Sequence, residues 1–138
     1  MKPLVIDTSV WVDWFRGRKD REGLTKITSG RVLYLPSVVV MELYSGTHET
    51  SSIRIMDSFI DSFLRNRRII VPNEKDYITA GKILAELKWP ASKLSNDTLI
   101  VVCARKIGAE LLSLNRRDFV PLCSLLSVTL RTSINEDG

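Results

Sequence analysis

A chain of 138 residues and 15.6 kDa has the size of one domain. Its 44% hydrophobic and 26% charged residues form an ordinary globular balance, and no apolar run approaches the ~20 residues of a membrane span. The net charge of +4 permits a polyanionic partner without requiring one.

Leu4-Val5-Ile6 is short, apolar and β-branched, and Asp7-Thr8-Ser9 ends it with helix-capping residues, so a strand leads into a helix through Val10, Trp11 and Trp14. A charged loop and a weak helix around Leu24 and Ile27 follow, ending at Gly30. Val32 to Leu35 reads as a second buried strand, and Pro36-Ser37 opens a helix from Val38 to Tyr44 that stops at Gly46. Ile53, Met56, Ile60 and Phe63 recur at helical steps. Ile69 to Val71 is strand-like and closed by Pro72, and Tyr77, Ala80, Leu84 and Leu87 restore the helical spacing until Trp89-Pro90 breaks it. Ser95-Asn96 reads as the cap of a nearly all-apolar helix from Leu99 to Ile107. Leu111 to Leu114 and Leu125 to Leu130 are the remaining strands, residues 1–132 make one domain, and 133–138 read as a loose tail. Short, continuously apolar strands alternating with helices predict an α/β fold, a parallel sheet covered on both faces.

In such sheets ligands bind beyond the carboxyl ends of the strands. Asp7 stands at the end of the first strand, Glu42 interrupts the apolar run Val38 to Leu43, and Asp97 opens the apolar helix before the strand at Leu111. Each acid alone has an ordinary explanation as a turn residue, an exposed helical position or a helix N-terminal charge. Together they can reach one sheet edge. Two carboxylates about 5 Å apart repel by roughly 3 kcal/mol at an effective dielectric of about 20. Convergence therefore demands a proton or a cation, and oxygen donors favour Mg2+ or Mn2+. Such an ion acidifies a water and steadies a transferring phosphoryl group, which is phosphodiesterase chemistry without a protein nucleophile.

His48, the lone histidine, is an alternative general base that such a water makes unnecessary. No phosphate-cradling glycine loop, nucleophile elbow or dinucleotide fingerprint is present. Trp11 and Trp14 suit base stacking less well than a core or a subunit contact. Cys103 and Cys123 lie in apolar stretches, where they suit a reducing cytoplasm better than a disulfide or a zinc site; Asp7 also arrives too early for a secretory signal. Basic clusters at Arg16-Gly17-Arg18-Lys19, Arg65-Asn66-Arg67-Arg68 and Arg116-Arg117 are solvated loops taken singly, and a phosphate-holding rim if they surround the acids.

Four blocks, Val5 to Trp11, Met41 to Gly46, Asn96 to Ile100 and Ser113 to Phe119, resemble in order and spacing those of PIN-domain ribonucleases. The length and layout are similar to the toxin members of VapBC toxin–antitoxin pairs. The resemblance implies a three-layer α/β/α sandwich and Mg2+- or Mn2+-dependent endonuclease activity on structured RNA, often transfer or ribosomal RNA, that stops translation. It implies metal ligation by Asp7, Glu42 and Asp97, with Thr8 or Ser9 as the hydroxyl residue beside the first acid. A homodimer and an antitoxin covering the acidic groove are implied as well. The fourth acidic position of the family commonly lies in a Thr-x-Asp pattern, and here the stretch is Ser113-Leu114-Asn115. Asn115 ranks above Asp118 for that role, with Ser113 and Asp118 supporting, and an uncharged Asn115 predicts a weaker second metal site. Arg16, Arg18, Lys19, Arg116 and Arg117 are the candidate RNA contacts. A signalling receiver would need adjacent acids after the first strand and a late lysine, neither of which is evident. A PIN nuclease of RNA maturation or decay, or a catalytically silent binding relative, would share these blocks.

Overall fold

Leu4, Val5, Leu111 and Leu112 are wholly inaccessible to solvent, which a strand achieves only when both faces of its sheet are covered. The computed structural model describes residues 1–17 and 21–132. The 133–138 tail, Arg18 and Lys19 lie outside the described residues. Strands β1 (Leu4–Ile6), β2 (Leu33–Pro36), β3 (Ile69–Ile70), β4 (Glu110–Leu112) and β5 (Leu130–Arg131) form one sheet in the order β3-β2-β1-β4-β5. Every pairing is parallel; Leu4 lies opposite both Leu33 and Glu110.

Among the described residues seven helices cover the sheet in a three-layer α/β/α arrangement: α1 (Thr8–Phe15), α2 (Arg21–Thr28), α3 (Ser37–Ser45), α4 (Thr50–Arg65), α5 (Glu74–Leu87), α6 (Ala91–Lys106) and α7 (Arg116–Leu126). Helix α5 starts in a capping box, with Asn73 accepting from the Asp76 N–H and Asp76 accepting from the Asn73 N–H. Met56, Ile60 and Phe63 are buried as their spacing requires, whereas Ile53 and Tyr77 are exposed at the margins of their stripes. None of the helices in the described residues is long and apolar enough to cross a membrane.

Two boundaries differ from the sequence expectation, and both have physical reasons. Helix α6 begins at Ala91, not at Ser95-Asn96, because Lys88 ends α5 in the left-handed conformation (φ 57) and Pro90 then starts the next helix at once. Asp97 therefore stands in the second turn of α6 and is not a helix-terminal charge. The apolar run expected to be the last strand splits. Phe119, Leu122, Cys123 and Leu126 continue α7 on one buried face, Ser127 turns the chain at φ 56, and β5 forms only at Leu130–Arg131. A short apolar run reads equally as buried strand or buried helix, and length decides.

At the amino end of β4, Glu110 accepts from both Arg31 (2.7 Å) and Arg131 (2.9 Å). Arg31 also donates to the carbonyls of Lys2 and Pro3, so it ties the segment entering β1 to the amino end of β4. Burial alone would raise the Glu110 carboxyl, but the hydrogen bonds from Arg131 and Arg31 outweigh it and hold the group below its usual range.

Candidate acidic centre at the carboxyl ends of the strands

Asp7 leaves β1 where the chain turns into α1, and its backbone N–H bonds to the Leu112 carbonyl across the sheet (2.9 Å). Its side chain is 5% exposed. A buried carboxylate survives only with donors around it. Ser9 Oγ (2.7 Å) and Ser113 Oγ (3.0 Å) both donate to Asp7 Oδ2. Burial still dominates, so Asp7 is raised above its ordinary value despite these donors.

Glu42 lies on α3, packed against α1, and its Oε1 accepts from Thr8 Oγ1 at 2.8 Å. Asp97, half-buried on α6, has its carboxyl pushed up to about 7 by burial first and then by the charges of Asp7, Asp118 and Glu42. Four carboxylates on α3, α6, α7 and the end of β1 thus share one electrostatic field. Asp118 occupies the third position of α7 and accepts from Asn115 Nδ2 at 2.9 Å. In the sequence Asp118 ranks below Asn115, as a supporting residue. Its charge at Asp97 is a contribution which sequence spacing hid, because only the placement of α7 against α6 brings the two together. Asn115 is the N-cap residue of α7 and is exposed, and its backbone N–H donates to Ser113 Oγ.

Among the described residues no three His, Cys, Asp or Glu side chains already stand close enough to enclose an ion. The donor set nonetheless suits a hard cation. It consists of oxygen donors in which burial, and then the neighbouring charges, push the Asp97 carboxyl up to about 7, and magnesium needs only one or two carboxylates beside its waters.

The remaining candidates separate clearly. Arg116 and Arg117 are exposed in the first turn of α7, directly before Asp118, where a positive charge opposes the helix dipole. Arg16 is exposed at the C-terminal end of α1 and borders a cleft of about 260 Å³ with Val12, Phe15, Leu43 and Met56. The Arg65–Arg68 cluster lies at the amino end of β3, and Arg65 is paired with Asp61 (2.8 Å); it is not part of a rim at the carboxyl ends. His48 is exposed between α3 and α4. Trp11 is 5% exposed and packs edge-on against Trp14 and Phe59 (centroids 5.9 and 4.9 Å apart), which makes it core and not a base platform. Cys103 and Cys123 are buried with free thiols, and burial pushes both up to about 12, so neither supplies a thiolate.

A comparison with curated proteins returns no match. Solved structures with the same fold include the DNA-bound VapBC complex of Salmonella typhimurium, at 17% identity and TM-score 0.68, over 95% of this chain and 98% of that one. VapBC-1 of nontypeable Haemophilus influenzae is similar at 20% identity and TM-score 0.65, over 93% of this chain and 96% of that one. VapBC2 of Rickettsia felis, bound to a promoter DNA fragment, is similar at 21% identity and TM-score 0.67, over 93% and 96%. At these identities the likeness is one of fold. The PIN domain family model matches residues 4–121, from the first strand to the middle of α7, and so spans every acid of the centre. The chain belongs to the PIN domain family.

Proposed function

We propose that this protein is a metal-dependent endoribonuclease, the toxin of a type II toxin–antitoxin pair, which stops translation by cleaving structured transfer or ribosomal RNA. The observation that carries the reading is the half-buried Asp97, pushed up to about 7 by burial and then by the charges of Asp7, Asp118 and Glu42. Acids that share one field with no basic partner among the described residues are a costly arrangement that a divalent cation relieves. In this reading Asp7, Glu42 and Asp97 hold Mg2+ or Mn2+, with Asn115 and Asp118 at the fourth position. When bound, the metal would acidify a water and stabilise charge developing on the phosphoryl group.

The remaining work falls to this chain's own side chains. Ser9 and Ser113 fix the Asp7 carboxylate, and Thr8 fixes that of Glu42. Arg116 and Arg117 hold the phosphate backbone of the RNA beside the acids, which explains why two cations occupy a helix end that disfavours them. Net hydrolysis adds a hydroxyl to phosphorus, breaks one P–O bond and returns a proton to the departing oxygen.

The proposed partners are a separately encoded antitoxin, a second copy of the chain and the RNA itself, and the proposed location is the cytoplasm. The toxin assignment rests on a fold shared with the VapBC proteins over more than nine-tenths of each chain. Induced expression in a bacterial host tests it. Translation arrest with discrete new 5′ ends in transfer or ribosomal RNA, absent for Asp97→Asn and relieved by a neighbouring antitoxin gene, is expected. Unaffected growth with intact RNA and abundant folded protein would overturn it.

A further inference from the structure

Ser113 is the one serine wholly inaccessible to solvent among the described residues, and its hydroxyl makes two hydrogen bonds. It donates to Asp7 Oδ2 at 3.0 Å and accepts from the backbone N–H of Asn115 at 3.1 Å. Its own N–H is held by the Arg131 carbonyl of β5, so the group that carries this hydroxyl is anchored in the sheet. Asn115 in turn donates its side-chain amide to Asp118 Oδ2 at 2.9 Å. Two hydrogen bonds at Ser113 and one from the exposed Asn115 side chain thus connect Asp7, which follows β1, to Asp118 on α7. Ser9 also donates to Asp7 Oδ2, but its side chain is exposed and leads to no second acid.

We propose that Ser113 is a positioning residue which sets Asp7 and Asp118 in a fixed mutual arrangement, so that the two acids act on a bound cation as one unit. The proposal rests on the reading of the acids as a metal centre and adds to it a coupling between two of them. The physical basis is geometric. Moving Asp7 away from this buried hydroxyl breaks a bond that no water replaces, and the same oxygen holds the backbone N–H that sets Asn115. Ligand-orienting hydrogen bonds of this kind commonly change metal affinity by about 10–100-fold. A merely structural Ser113 would change stability and leave the acids independent.

A double-mutant cycle in Mn2+ binding by the full chain, measured by calorimetry on metal-free protein, separates these cases. Ser113→Ala and Asp118→Asn should each weaken Mn2+ binding by about tenfold, and the double variant should be little weaker than either single one. Ser9→Ala combined with Asp118→Asn should multiply, because Ser9 has no path to Asp118. Ser113→Thr, which keeps the hydroxyl, should restore most of the affinity. If the Ser113→Ala and Asp118→Asn effects multiply as independent factors, or if Ser113→Ala lowers the unfolding temperature while binding Mn2+ as the wild type does, the coupling is refuted and the metal centre stands. If the wild-type chain binds no Mn2+, the metal reading fails and the coupling falls with it.

Discussion

Replacing Asp97 with asparagine should abolish RNA cleavage and at the same time make the metal-free protein more stable. The ordinary carboxyl value is 3.8, and in the folded chain Asp97 sits at about 7. At 1.36 kcal/mol per pH unit that difference would amount to about 4 kcal/mol for a fully enclosed group. Asp97 is only half-buried, so solvent screening reduces the figure to about 1–2 kcal/mol. For a chain of this length that is an increase of roughly 3–8 °C in the unfolding midpoint. The pH dependence follows from the direction of the shift. A carboxyl raised by folding favours the folded state while protonated, and that advantage is lost as pH rises from about 4 to about 7. The gain in the asparagine variant should therefore be full at pH 8 and vanish near pH 4. Thermal unfolding in EDTA across that range measures it. Equal or lower stability of Asp97→Asn at pH 8 would refute the claim that burial and the neighbouring acids disfavour a charged Asp97.

Further consequences follow from single contacts. Thr8→Val keeps the shape of a half-buried side chain but removes the donor to Glu42 Oε1, so activity should fall about tenfold while chemical denaturation shifts by less than about 1 kcal/mol. Replacing both Arg116 and Arg117 with alanine should raise KM, flatten its salt dependence and leave kcat nearly unchanged, as read from steady-state cleavage at several salt concentrations. Glu110→Ala leaves Arg31, whose side chain is 3% exposed, without its carboxylate. The loss should be about 2–3 kcal/mol in urea unfolding, below the usual cost of a broken buried pair because the Lys2 and Pro3 carbonyls still accept from Arg31.

The parallel sheet was legible because its strands are short, apolar and buried on both faces, a pattern that only helices on both sides can satisfy. The acids stood out for a related reason: Asp7 ends an apolar strand, and Glu42 interrupts an apolar helical run. What the sequence concealed lies in long-range packing. The start of α6 at Ala91 depends on Pro90 following so closely on the left-handed Lys88, and polar Ser95-Asn96 imitated a cap inside the helix. The influence of Asp118 on Asp97 and the bridge through Ser113 require α7 and β4 to be set against β1, which no local spacing encodes. The basic clusters look alike as strings, yet Arg116-Arg117 follows the carboxyl end of β4 whereas Arg65 to Arg68 precedes β3. Topology assigned them different ends.

Cleavage of RNA by these acids with the help of a divalent metal can be read on the purified, partner-free protein. End-labelled structured RNA would be incubated with Mg2+ or with EDTA, using the wild type and Asp97→Asn. Discrete fragments that require Mg2+ and are absent for the folded Asp97→Asn variant are predicted. Intact RNA with the folded wild-type protein, or cleavage that persists in EDTA or in the variant, would contradict the account.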